Sequence, residues 1–279
     1  MSATPPSVRK ASGDVEPYEE RKLLTSLRRA GAREDVAREV ADEVRLKLHE
    51  GMTTKELYRI AFRILRRKQR HTAARYSLKK SVMALGPSGH PFERFFAAIL
   101  EAQDYQTEVG VTLRGKCVEH EVDVVAWRAG HRLLAECKFH SDARVRSDVK
   151  VALYVQSRRL DLAASPHVEP FDEFLLVTNT RFTTDAIEFG TCAGLGMLSW
   201  DHPRDEGLGH TIERLRLHPV TCLASLAGTK KRELIHRGVV LVRDLVAQPQ
   251  VLEEIQVPRR TARRTLDEAD ALLNALPGV

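Results

Sequence analysis

The stretch His120-Glu121-Val122-Asp123-Val124-Val125-Ala126, followed by Arg128-Ala129-Gly130-His131 and then Arg132-Leu133-Leu134-Ala135-Glu136-Cys137-Lys138, constrains the fold most strongly. Two apolar runs joined by a tight turn read as a β-hairpin. With the turn centred on Ala129 and Gly130, paired positions sum to about 259, which sets Asp123 opposite Glu136. Their Cβ atoms would then lie about 5 Å apart. Glu136 and Lys138, two apart, share one sheet face. Carboxylates on otherwise apolar strands are costly unless something partners them. A divalent cation does so, and all-oxygen ligation suits Mg²⁺ or Mn²⁺. Lys138 is placed to orient or deprotonate a water and to stabilise a pentacoordinate phosphorus, while the metal polarises the phosphoryl oxygen. An exposed hairpin face of mixed sign, with Glu136 paired to Lys138 or Arg132, is the alternative that the pattern leaves open.

The 279 residues suggest two or three domains, and 43% hydrophobic with 29% charged residues exclude disordered and collagen-like chains. No run approaches the roughly 18 apolar residues of a membrane span, and Met1 to Pro6 lacks a signal-peptide core. A cytoplasmic protein with no membrane partner is the expectation. Cys117, Cys137, Cys192 and Cys222 are scattered, which disfavours a disulfide framework or a structural zinc site. The net charge of +6 is uneven: +9 over residues 1–86, −5 over 87–205 and +2 over 206–279. Between Glu56 and Glu93 there are nine Lys or Arg and no carboxylate. Such asymmetry points to DNA or a nucleotide as partner, with a solvated helix face as the bland alternative.

Turn-rich stretches at Gly86-Pro87-Ser88-Gly89-His90-Pro91 and, more loosely, at residues 201–209 divide the chain into domains at 6–86, 90–205 and 215–279. The first opens with β-like residues around Val8 and Val15. Helices are predicted at 19–30, 33–50, 54–68 and 73–85, with Gly31 and Gly51 at helix ends. The second has a helix carrying Phe92, Phe95, Phe96, Ile99 and Leu100. Strands follow at 109–113, 122–127, 132–139, 174–178 and 197–200, with helices at 147–162 and 184–193. The third is helical at 223–237, 240–247, 249–254 and 259–276.

The order Phe92-Glu93-Arg94-Phe95-Phe96, His120 to Ala126, Glu136-Cys137-Lys138 and Leu176-Val177-Thr178-Asn179-Thr180-Arg181-Phe182-Thr183 resembles the Mrr-type restriction endonuclease domain of the PD-(D/E)xK superfamily over residues 90–200. The resemblance implies a mixed-sheet α/β/α core and Mg²⁺-dependent phosphodiester hydrolysis. It makes Asp123 and Glu136 metal ligands and Lys138 the catalytic lysine. Glu93 matches the family's helix carboxylate and Gln156 a polar residue near the site. Glu121 could add a ligand, and His120 and His140 flank the site as bystanders.

The stretch from Val8 to Leu85 resembles the ATP-cone, a helical nucleotide-binding domain with a small N-terminal β-hairpin. Its carriers are Val8, Arg9, Lys10, Ala11, Ser12, Gly13, Glu16, Glu19 and Lys22, then Gly51-Met52-Thr53-Thr54-Lys55-Glu56-Leu57-Tyr58. The resemblance implies ATP or dATP as effector. Lys10 and Lys22 would contact phosphates, Thr54 would stand at an anion-binding helix N-terminus, and Tyr58 would meet the base. Ala11 departs from the cone's usual Arg, a loss that Arg9 could offset. The run Arg66, Arg67, Lys68 and Arg70 is a candidate DNA contact. In the tail, Leu234 to Val240 and Leu252 to Pro258 loosely resemble helix-hairpin-helix units, although Gln256 replaces a usual Gly. Arg259 and Arg260 begin the second unit, as DNA contacts or as part of a packing module. The chain is thus expected to be a multidomain α and α/β protein: a nucleotide-regulated, Mg²⁺-dependent DNA endonuclease of restriction or repair. The alternative is a non-catalytic, nucleotide-sensing DNA-binding regulator, and a homo-oligomer is compatible with either.

Overall fold

The computed structural model describes residues 6–10, 13–86 and 88–274, the side chain of His71 excepted. The chain forms two compact units. One comprises the chain up to Leu78, the segment Cys222–Ala227 and everything from Leu252 onward; the other comprises Lys79–Thr221 and Gly228–Val251.

The first unit begins with strands β1 (Ser7–Arg9) and β2 (Val15–Pro17), then helices α1 (Glu20–Arg29) and α2 (Glu34–Arg45). Strand β3 (Met52–Thr53) and helices α3 (Thr54–Lys68) and α4 (Arg70–Tyr76) follow. The expected β1–β2 hairpin gains β3 as a third member, parallel to β1. To let Met52 reach β1, α2 stops at Arg45 rather than running on to 50. Leu27, Val40, Val44, Ala61, Ile64 and Leu65, recurring at helical spacing, form the core. The predicted helix at 73–85 is two pieces, α4 and then α5 (Leu78–Val82).

The second unit continues with α6 (His90–Glu101), β4 (Gln106–Arg114), β5 (Glu119–Arg128) and β6 (His131–Lys138). After β7 (Arg146–Ser147) come α7 (Val149–Ala163), β8 (Glu173–Thr178), β9 (Arg181–Phe182), α8 (Thr184–Cys192), β10 (Gly196–Leu198) and α9 (Leu208–Leu215). The main sheet has the order β10-β8-β6-β5-β4, antiparallel from β4 to β6 and parallel from β6 to β10. Leu134, Phe174 and Leu176 pack against Ala152 and Val155 of α7 and Ala186 of α8. The alternate residues Leu133 and Leu175 face the layer of α6 and α9. The turn-rich residues 201–209 therefore lead into a further helix of this unit.

The tail adds α10 (Gly228–His236), α11 (Val242–Ala247), α12 (Val251–Glu254) and α13 (Arg259–Asn274). The tail is divided between the two compact units. Helices α10 and α11 belong to the second unit, whereas α13 belongs to the first and packs on α4. The turn at Gln256 adopts the left-handed conformation, φ 56°, that glycine usually supplies.

Candidate active site

Strands β5 and β6 pair as Val124↔Ala135, Val125↔Leu134 and on to Arg128↔His131, a register sum of 259. Ala129 and Gly130, at φ 48° and 83°, make the two-residue turn with both angles positive that matches strand twist. The ladder ends just before Asp123 and Glu136. There the Asp123 carboxylate takes the place of a main-chain partner, its Oδ2 accepting from the Cys137 N–H at 2.6 Å. On the other side of β5, Gly110 of β4 stands between the pairs Val109↔Val124 and Val111↔Val122, at φ 69°. Val122 and Val125, three apart, join the same buried cluster, so side-chain alternation slips at Asp123. That irregularity frees the carboxylate from simple strand packing.

Asp123 is pushed up to about 7, first by burial and then by the charge of Glu136, with Glu93 adding to it; the Cys137 N–H and Lys138 act the other way. The buried Cys137 thiol is also raised, by desolvation and by the fields of Asp123, Glu93 and Glu136. Glu136 of β6 and, less strongly, Glu93 of α6 thus act on Asp123 of β5 through their charges. Glu93 lies on α6, hydrogen-bonded to His90 Nδ1 at 3.2 Å. Lys138 Nζ donates to Glu136 Oε1 at 2.6 Å, and Thr178 Oγ1 of β8 donates to the Lys138 carbonyl at 2.8 Å.

Two contributors were given no role by the sequence, Arg158 without any local signature and Asn179 only as a member of the motif at 176–183. Arg158 of α7 is buried and donates to Glu136 Oε2 at 2.6 Å and to the Glu121 carbonyl. Asn179, fully buried, clamps the chain after β6: its Oδ1 accepts from His140 N and its Nδ2 donates to His140 O, each at 2.8 Å. Arg158 is the residue of α7 that bonds Glu136, and Gln156, two positions earlier, bonds Arg159 at 3.3 Å. Positions two apart on a helix face different ways, so only one of the two can reach Glu136. His120 is bonded to Asp161 at 2.8 Å and His140 to Ser147 at 3.0 Å, both outside the carboxylate cluster.

Among the described residues, no three His, Cys, Asp or Glu side chains gather closely enough to close a metal site unaided. Mg²⁺ retains several waters and is held by one or two carboxylates, so it does not need such a closed cage. Asp123, with one oxygen unbonded among the described residues and its charge resisted by neighbouring carboxylates, and Glu136 fit that donor set.

In the first unit, Lys10 pairs with Glu16 at 2.7 Å and Lys22 with Glu19 at 2.7 Å, so these cations and acids neutralise one another. Their pairing holds Glu16 below the usual carboxylate range. Val8 is buried in β1, Arg9 is exposed, and Gly13 has φ 96°. The Ala11-Ser12 step lies outside the described residues. Thr53, one residue before Thr54, caps α3, exchanging hydrogen bonds with Glu56. Tyr58 is half-buried and its ring stacks on Tyr76 and Phe62 at 5.1 and 6.1 Å.

The basic run divides. Arg67 pairs with Glu43 at 2.9 Å and Lys68 with Glu39 at 2.6 Å, whereas Arg66 and Arg70 have no ion pair or hydrogen bond among the described residues. Arg259 and Arg260 are exposed at the start of α13.

Family models match three regions: the ATP cone domain over residues 6–81, the restriction endonuclease domain over 86–202, and the AF1548-like C-terminal domain over 218–273. An uncharacterized protein of Archaeoglobus fulgidus is 34% identical over 178 residues, covering 63% of this chain and 99% of that protein. The crystal structure of AF1548, a protein of unknown function, is similar with a TM-score of 0.56 and 33% identity, covering 67% of this chain and 98% of that one. No helix among the described residues is long and apolar enough to cross a membrane. With its hairpin carboxylates on a restriction-endonuclease core, the chain belongs to the AF1548-like family, and it carries an ATP cone at its N-terminal side.

Proposed function

We propose that this protein is a divalent-metal-dependent deoxyribonuclease, acting in restriction or repair, whose activity responds to ATP or dATP at the cone. The observation that carries the reading is the placement of Asp123 and Glu136 side by side at the end of the β5–β6 ladder, with Lys138 Nζ on Glu136 Oε1. Asp123 and Glu136 would hold Mg²⁺ or Mn²⁺; when bound, such an ion supplies Lewis-acid polarisation of the phosphoryl oxygen and a more acidic water. Lys138 holds its ammonium beside Glu136, where it can orient the attacking water and balance charge on the phosphorus oxygens. Arg158 fixes Glu136 from the helix side, and the Asn179 clamp fixes the chain leaving β6. Water oxygen bonds to phosphorus as one P–O ester bond breaks, and the leaving oxygen takes a proton.

At the cone, Lys10 and Lys22 are the phosphate contacts, with Arg9, Gly13, Glu16, Glu19 and Thr54 around them. A triphosphate would compete with Glu16 for Lys10.

Incubation of supercoiled and branched DNA with Mg²⁺ or Mn²⁺, with and without ATP or dATP, tests the proposal. Cleavage should be abolished by EDTA and fall by about 100-fold or more in Lys138→Ala, the scale of losing one preorganised charge-stabilising group. Equal, negligible cleavage by both proteins under every condition would dismiss catalysis.

A second reading, a nucleotide-sensing DNA-binding regulator, draws on one observation: both Glu136 oxygens already face a cation, Lys138 on one side and Arg158 on the other. It predicts ATP-dependent DNA retention without cleavage.

A further inference from the structure

Within the first unit lies a recess of about 260 Å³ lined by Arg66, Arg67, Arg70, Ala224, Ser225 and Arg264. Its walls come from three places in the sequence: the end of α3 with the start of α4, the segment Cys222–Ala227, and α13. The floor is held firmly. Ala224 N and Ser225 N donate to the buried Glu268 carboxylate at 2.6 and 2.8 Å, and Ser225 Oγ bonds Thr265 Oγ1 at 3.0 Å. Arg264 spends one donor on the Ser225 carbonyl at 3.3 Å, and Arg67 is paired with Glu43. Arg66 and Arg70 have no partner among the described residues.

Four guanidiniums around one small space repel, and each carries five N–H donors of which few are used here. Glu43 offsets one of the four, while Glu268 is turned to the main-chain amides. An anion recovers both the charge and the donors. The planar fork of Arg matches a phosphate bidentately, as a Lys does not. The volume falls below the roughly 300–1,000 Å³ of sites that enclose a whole small-molecule ligand. It suits one or two phosphate groups, with the rest of the ligand outside.

We propose that this recess is a phosphate-binding site, completed by the tail and distinct from the Lys10–Lys22 region. Its phosphate comes either from a nucleic-acid backbone or from the polyphosphate of a nucleotide. The site does not depend on cleavage, so it stands or falls separately from the nuclease reading.

The test uses the full chain bearing Lys138→Ala, so that DNA is not consumed. Affinity for a short fluorescent duplex is followed by anisotropy across a salt series, and affinity for ATP and inorganic pyrophosphate by calorimetry. Adding Arg66→Ala, Arg70→Ala and Arg264→Ala should weaken duplex binding about tenfold or more and lower the log–log salt slope by about 2 to 3, close to one per lost phosphate contact. If the nucleotide is the source, duplex binding holds and ATP and pyrophosphate binding fall about tenfold, each tenfold step being about 1.4 kcal/mol. The charge-matched variant Arg29→Ala, Arg59→Ala, Arg63→Ala lies outside the recess and should change neither. An equal loss in that control, or no loss of any ligand in the recess variant, overturns the proposal. Should the triple variant fail to fold, Arg66→Ala with Arg70→Ala removes only side chains that have no partner among the described residues and is read by the same two measurements.

Discussion

Glu136 is held by a cation on either side, Lys138 along its own strand and Arg158 from α7, in a place almost closed to water. Removing one cation leaves a buried charge undercompensated, a loss that typically costs about 3–5 kcal/mol. Arg158→Ala should therefore lower urea-unfolding stability by that order, and pairing it with Glu136→Gln should return most of the loss. A single-variant loss below about 1 kcal/mol would mean that Arg158 does not hold Glu136. Asp161 gives a pH-dependent counterpart. Its carboxylate accepts from His120 and from the N–H groups of Cys117 and Val118, and these bonds, that of His120 foremost, hold it well below the usual carboxylate range. A folded-state value lowered in this way contributes stability above the unfolded value of about 4, and the contribution is lost as pH falls through the folded value. Asp161→Asn should melt several degrees lower than wild type at pH 7, and the gap should narrow as the pH drops below about 4; a gap independent of pH would refute the assignment. At this scale legibility followed locality. Asp123, Glu136 and Lys138 could be brought together on paper because one hairpin register relates them. Arg158 sits 22 residues from Glu136 on a different element, and nothing in its own neighbourhood distinguishes it from Arg159.

Elements with a strong period could be read from the sequence; elements set by tertiary demands could not. The β5–β6 register followed from the Ala129-Gly130 turn, and α3 from its apolar stripe together with the polar run Thr53-Thr54-Lys55-Glu56. The two-residue strands β3, β7 and β9 are too short to carry any alternation, and α9 begins within a stretch whose Pro and Gly content reads as loop. The break between α4 and α5 likewise has no Gly or Pro to announce it. Two elements are joined by turns that use an unfavourable residue. Ala129 and Gln256 take left-handed conformations that cost an L-residue roughly 1–2 kcal/mol. Gln256→Gly should raise chemical-denaturation stability by about 1 kcal/mol, less the entropy glycine adds to the unfolded chain. Destabilisation would show that the Gln256 side chain makes a contribution of its own. Gly110 presents the converse: Gly110→Val puts a branched residue at φ 69° beside Asp123 and should cost both stability and metal-supported cleavage.

At the scale of the whole molecule, the charge arithmetic separated a basic region from an acidic one, and the fold gives each region a home. The region from 6 to 78 holds the basic run, and the carboxylate hairpin lies in the second unit. What the linear order concealed is that the tail serves both units. Helix α13 packs on α4 of the first unit, so a protein ending at residue 227 would leave the apolar positions Ala269 and Leu272 of α13 unreplaced. Such a truncation should lower the melting temperature of the cone and increase dye-detected apolar exposure; an unchanged cone transition would mean that α13 is dispensable there. The interlacing has a consequence for how such a protein can be taken apart. The chain passes between its two compact units four times, after Leu78, Thr221, Ala227 and Val251. The stretch at residues 218–273 is therefore matched as one C-terminal domain yet built into two units. A cone transplanted to another protein by a single splice would arrive without part of its own wall, and a single proteolytic nick would separate neither unit intact.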